Sequence, residues 1–146
     1  MKLLAEHNDA NPNNQLKWSS FFIFRPEDQM PEEEWIEISK SAEVLVVGIE
    51  SLNESVRFHM GKRFTNSDMH YCFDMCKKHG IKVHMLLIVG YVTDDERTNT
   101  ESIEWFKANK HYVNDPIVSV RLGSTLGILP GTELYRRQEE LGVELQ

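Results

Sequence analysis

Val44-Leu-Val-Val-Gly-Ile-Glu-Ser51 decides how this chain folds. The run is apolar or glycine up to Ile49, without alternation, and it ends in a carboxylate and a hydroxyl. A strand with one wet face alternates polar and apolar residues, so an unbroken apolar run marks a strand covered on both faces or buried in a barrel. Sheets of that kind bind ligands at the C-terminal ends of their strands, which is where Glu50 and Ser51 fall.

The flanks repeat the pattern. Upstream, Trp18–Phe24 is an aromatic-rich strand stopped by Arg25-Pro26, because the residue before proline is restricted. Pro31-Glu-Glu-Glu then opens a helix to about Ser41, with carboxylates at the positive end of its dipole. Downstream, Asn53–Met60 reads as a short helix, and Thr65-Asn-Ser-Asp68 as a capping box. The helix that follows puts Met69, Cys72, Phe73 and Cys76 on one stripe and stops at Gly80. Ile81–Gly90 is the third strand. Thr98-Asn-Thr-Glu101 starts a helix to Tyr112, with Ile103, Trp105 and Phe106 facing inward, and Ile117–Leu122 is the fourth strand. The loop Gly123–Gly131 leads to a last helix, Thr132–Leu141, with Gly142 as its stop. Residues 1–17 are rich in Asn and read as a poorly structured lead-in or the tail of a preceding helix. The fold class is therefore α/β: about four parallel βα units over residues 18–146, forming an open layer or part of a barrel.

Composition narrows the partners. In 146 residues, 16 basic and 23 acidic side chains give a formal charge of −7, which argues against nucleic acid or an anionic membrane as the main partner. The longest apolar stretch, Val83–Tyr91, is about half of the ~20 residues a spanning helix needs, and the N-terminus turns polar before any secretory core can form. The chain reads as cytoplasmic, and a count of 2 cysteines suits a reducing compartment.

At the strand ends, Glu50 and Ser51 can accept ribose hydroxyls or an ammonium group, and Glu50 serves equally well as a cap of the next turn. Arg57-Phe-His-Met-Gly-Lys-Arg63 gathers cations that suit a carboxylate or phosphate, or that are simply solvated. His59 has no second ligand at metal spacing and reads as a loop histidine. Cys72 and Cys76 read as buried thiols. Gly90 lets backbone approach a flat ligand, and Leu122 can contact an aromatic base. Alone, these residues describe a small-ligand α/β domain.

Their order is more specific. Val47-Gly-Ile-Glu-Ser51, Met60-Gly-Lys-Arg-Phe-Thr65, His79-Gly-Ile81, Leu87-Ile-Val-Gly90 and Leu129-Pro-Gly-Thr-Glu-Leu-Tyr135 together resemble the second half of the radical S-adenosylmethionine (radical SAM) core. The likeness is greatest to members that follow a cobalamin-binding domain. The resemblance implies a partial TIM-type (βα)6 barrel. In that family a three-cysteine loop holds a [4Fe–4S] cluster, and S-adenosylmethionine is cleaved to a 5′-deoxyadenosyl radical. It also implies Glu50 and Ser51 as ribose or amino-acid contacts, Lys62 and then Arg25 toward the methionine carboxylate, Gly90 near adenine and Leu122 as an apolar contact. The CxxxCxxC loop is absent, so no metal ligand is assigned, and Cys72 and Cys76 are not promoted to cluster ligands. Asp94 stands where a Gly-Glu pair is common, and Val92 replaces a frequent proline. Trp18–Phe24 aligns with the third barrel strand, so the first βα units, the cluster and any cobalamin belong to a longer chain or have been lost. The isolated chain is expected to be inactive toward its small-molecule substrate and to self-associate through its open edge. Two other readings stay open: a non-catalytic half-barrel assembly module, and a small domain binding a phosphorylated metabolite through Arg57, Lys62 and Arg63.

Overall fold

The computed structural model describes residues 2–123 and 126–144. Its elements alternate: α1 (Lys2–Ala10), β1 (Trp18–Phe22), α2 (Glu32–Ser39), β2 (Ala42–Glu50), α3 (Glu54–His59), α4 (Asn66–Lys78), β3 (Lys82–Leu87), α5 (Glu96–Ala108), α6 (Lys110–Val113), β4 (Val118–Leu122) and α7 (Glu133–Arg136). The strands form one sheet in the order β1-β2-β3-β4, and every pairing is parallel. A sheet in chain order with only parallel pairs needs a crossover between each pair, and the helices supply it. It is the α/β arrangement that the unbroken apolar run of β2 implies.

The helices cover one face. Leu45, Val47 and Ile49 of β2 and Val83, Met85 and Leu87 of β3 point to that face and are 0–5% exposed. They pack in one cluster with Trp35 and Ile38 of α2 and with Met69, Cys72, Phe73 and Cys76 of α4, the stripe read from the sequence. Phe22 meets Trp35 at a ring separation of 5.8 Å, and Phe24 meets Phe73 edge-on at 5.3 Å. The other face carries Phe21, Val44, Val46, Gly48, His84 and Leu86, which the register sets side by side. Among the described residues no helix lies over it in the way α2 and α4 lie over the first, and Phe21 is 79% exposed. We call this the inner face.

Local signals mostly hold. Thr65 and Asp68 form the capping box of α4, and Asn53 caps α3 by accepting from Val56 N at 3.0 Å. Residues 2–10 are helical, and Asn8 ties them to the body by donating to Leu16 O at 2.8 Å and Lys40 O at 2.9 Å. Several boundaries differ. β1 stops at Phe22 and β3 at Leu87, short of Phe24 and Gly90. Helix α5 starts at Glu96 because Asp95 and Thr98 make the capping box, and the chain breaks at Asn109 into α6. Trp105 takes the inward position that Ile103 was expected to share: it is 9% exposed, and Ile103 is 54% exposed. The last helix closes after one turn, Glu133–Arg136, although Thr132 caps it as expected.

Candidate functional site

The C-terminal end of β2 is distorted in a way that serves Glu50. The register with β3 shifts between Gly48 and Glu50, and Glu50 has φ +67°, the one positive φ outside glycine among the described residues. Ser51 N donates to Ile49 O at 2.9 Å, closing a three-residue turn over Glu50. A turn of this kind with positive central φ is rare and strained, and such strain persists only where the surroundings hold it. Glu50 O accepts from Ile88 N at 2.7 Å, which pins the turn to the chain leaving β3.

This turn folds the Glu50 carboxylate back over Gly48 on the inner face, where Lys62 Nζ lies 3.2 Å from its Oε1. A Cβ at Gly48 would overlap Glu50 Oε1 and stand 3.1 Å from Lys62 Nζ, so a larger residue there would push the carboxylate from its present position. The side chains are 21% and 29% exposed, so the pair is partly shielded yet reachable. A glycine inside an apolar strand is the sequence signal for such a close approach; its purpose here shows only in three dimensions.

The sequence-predicted residues divide. Glu50 and Lys62 converge. Ser51 is buried beside them, with its hydroxyl accepting from Asn53 N at 3.2 Å and its carbonyl from Arg57 Nη1 at 2.9 Å. Gly90 has φ +83° on an exposed turn closed by Asp94, whose carboxylate accepts from Gly90 N at 3.0 Å and Tyr91 N at 2.8 Å. Leu122 pairs with Leu87 and so lies on the helix-bearing side, 65% exposed. It lines a largely apolar cavity of about 360 Å³ with Leu87, Ile88, Val89, Ile103 and Phe106, and Glu50 and Ser51 form one wall of it. The carboxylate pair and the cavity are thus neighbours at one rim. Arg25 is exposed after β1.

Arg57 corrects the reading of a cationic loop. It belongs to α3 and is 0% exposed. Its Nη2 donates to Asn66 Oδ1 at 2.6 Å, and its guanidinium stacks over Phe64 at 5.2 Å. Burial pulls its pKa down to about 10, against a smaller opposing pull from Glu54 and Asp68. A phosphate cluster of Arg57, Lys62 and Arg63 is therefore not formed. His59 ends α3 and its Nδ1 lies 3.1 Å from Tyr91 Oη.

The cysteines do not fit an iron–sulfur cluster. Cys72 and Cys76 are fully buried on α4, across the sheet from Glu50 and Lys62. Burial pushes the Cys72 thiol up to about 12, with its Sγ donating to Arg25 O at 3.3 Å, and raises Cys76 further. A cluster needs thiolates, and both groups are held as thiols. No helix among the described residues is long and apolar enough to cross a membrane.

The chain is similar in structure to the radical S-adenosylmethionine methyltransferase TsrM from Kitasatospora setae, solved with cobalamin and a [4Fe–4S] cluster. The TM-score is 0.63 over 85% of this chain, at 16% sequence identity. A second structure of that enzyme, with tryptophan substrate and the analogue aza-SAM, matches with TM-score 0.62 over 83% of the chain, again at 16% identity. The chain shares its fold with part of a radical SAM enzyme. The chain spans 24% and 23% of the length of those structures, so the likeness concerns one part of that enzyme. The sequence matches no family model and no curated protein.

Proposed function

We propose that the chain is the part of a radical SAM enzyme core corresponding to barrel strands three to six, and that it supplies one wall of an S-adenosylmethionine pocket. The observation that carries this is the Glu50–Lys62 pair, held over Gly48 by a strained turn at the C-terminal rim of a parallel sheet. A carboxylate and an ammonium side by side match the zwitterionic end of an amino acid: Lys62 meets the ligand's carboxylate, and Glu50 its ammonium or the ribose hydroxyls. The adjoining apolar cavity, with Ile88 and Leu122 in its wall, takes the flat base. Gly90 borders that cavity through Val89, and Ser51 holds the turn rather than the ligand.

In a full-length enzyme, S-adenosylmethionine and a [4Fe–4S] cluster together supply radical chemistry. The residues here fit the first and not the second, so the cluster ligands come from a further segment, as does any cobalamin. The isolated chain then binds ligand without turnover. The withdrawal of Arg57 into the core weighs against the phosphorylated-metabolite reading.

Titration calorimetry with S-adenosylmethionine and with simple nucleotides tests this. We expect binding of S-adenosylmethionine to the wild-type chain, and its loss in Glu50→Ala, Lys62→Ala and Gly48→Ala. Preference for a nucleoside triphosphate, or wild-type affinity in all three variants, would overturn the proposal. Anaerobic reconstitution with iron and sulfide should load no cluster.

A further inference from the structure

Arg57 is costly where it lies. A fully buried guanidinium loses its hydration, and its Nε has no hydrogen-bond partner. The carboxylate oxygen that pairs with it, Glu54 Oε2, is 3.7 Å from Nη2 on a side chain that is 39% exposed, and Asp68 adds a weaker pull. An apolar side chain of similar volume is often neutral or stabilising in place of a buried charge. Core packing therefore gives no reason for an arginine at this position.

Its contacts give one. Nη1 donates to Ser51 O at 2.9 Å, the residue next to the strained Glu50, while Nη2 reaches Asn66 at the start of α4. The Arg57 main-chain carbonyl accepts from Lys62 N at 3.0 Å, and Arg57 N donates to Asn53 O at 3.1 Å. One residue thus grips the chain on both sides of the site: its side chain holds the Glu50 turn, and its backbone holds the start of Lys62. The forked guanidinium suits two fixed acceptors in different segments, which an ammonium cannot span in the same plane.

We propose that Arg57 is the positioning residue of the Glu50–Lys62 site, an internal strut that sets the left-handed backbone of Glu50 and the placement of Lys62 toward a zwitterionic ligand. The ligand part of this statement rests on the function proposed above, and the positioning part does not. Strain at a non-glycine residue relaxes unless the neighbours over-determine it, and removing the hydrogen bond to Ser51 O removes one of the few restraints that do.

The test is nuclear magnetic resonance on the labelled chain. The three-bond coupling between the amide proton and Hα of Glu50, read together with the intraresidue amide–Hα Overhauser effect that is strong only at positive φ, reports its backbone, and a merely space-filling role for Arg57 would leave both unmoved. In Arg57→Lys the charge stays and the fork is lost. We expect cooperative unfolding with a changed Glu50 coupling, shifted Ser51 and Lys62 amides, and S-adenosylmethionine affinity about tenfold weaker. Asn66→Ala removes the far anchor of the guanidinium, and should move the same signals in the same direction by less. A folded Arg57→Lys chain with wild-type coupling and amide shifts would overturn the proposal. If Arg57→Lys does not fold, an unchanged Glu50 coupling in Asn66→Ala overturns it instead. A coupling that responds to Arg57 in a wild-type chain that binds no S-adenosylmethionine would keep the strut and reject the ligand.

Discussion

The two faces of the sheet are built from similar residues and do different work. On the helix-bearing face, Leu45, Val47, Met85 and Leu87 lie under α2 and α4, nearly sealed from water. On the inner face, Phe21 and the residue just past β1, Ile23, are 79% and 62% exposed, and the polar Glu50–Lys62 pair lies over Gly48 at the rim. Stability is concentrated in the first face, and the proposed ligand site lies at the edge of the second. The strain at Glu50 belongs with this division, since a stable core elsewhere can hold a turn that would not form alone.

Paired truncations give the largest contrast. Trp35→Ala empties a fully buried site against Phe22 and should cost about 3–5 kcal/mol in urea unfolding. Phe21→Ala, on the inner face, should cost within about 0.5 kcal/mol and reduce self-association in sedimentation. Equal losses would mean that both faces carry the core.

A smaller effect of opposite sign sharpens the same point. Glycine takes positive φ freely, so Glu50→Gly should stabilise the chain by about 1 kcal/mol, the relieved strain less the entropy of the added glycine. The same change should abolish S-adenosylmethionine binding. A destabilised Glu50→Gly would show that the carboxylate serves the fold.

The smallest expected effect is a pH dependence on the helix-bearing side. His70 of α4 has its Nε2 buried without a partner, against Trp105 and Tyr112. Burial lowers its pKa from 6.5; Asp74 pulls it back up, and His111 and Arg57 push it down. The unfolded chain therefore binds the proton more readily. The stability from neutral His70 is complete above about pH 6.5 and is lost as the pH falls through the lower folded value. Thermal unfolding of His70→Gln should show a flatter slope over that range than the wild-type chain.

The contrast between the faces also explains what could be read in advance. Continuous apolar runs bounded by turns are enough to place β2 and β3, and the order of strand-end motifs brings Glu50 and Lys62 together. The side taken by Leu122 is legible, because Val118, Val120 and Leu122 alternate with Ser119 and Arg121 and the apolar set pairs with Val83, Met85 and Leu87 on the helix-bearing face. The start of α5 is ambiguous because Asp95-x-x-Thr98 and Thr98-x-x-Glu101 both have the spacing of a capping box, and the earlier one captures the helix. Arg57 reads as a surface cation, since its acceptors at Ser51 and Asn66 arrive only with the tertiary fold. Nothing in the local pattern announces a buried guanidinium.

The most direct test of the central claim is a chemical-shift map of the labelled chain titrated with S-adenosylmethionine. We expect the largest shifts on Glu50, Lys62, Ile88 and Leu122, with Leu45 and Met85 unmoved. Shifts centred on Arg63, or no saturable shift at all, would contradict it.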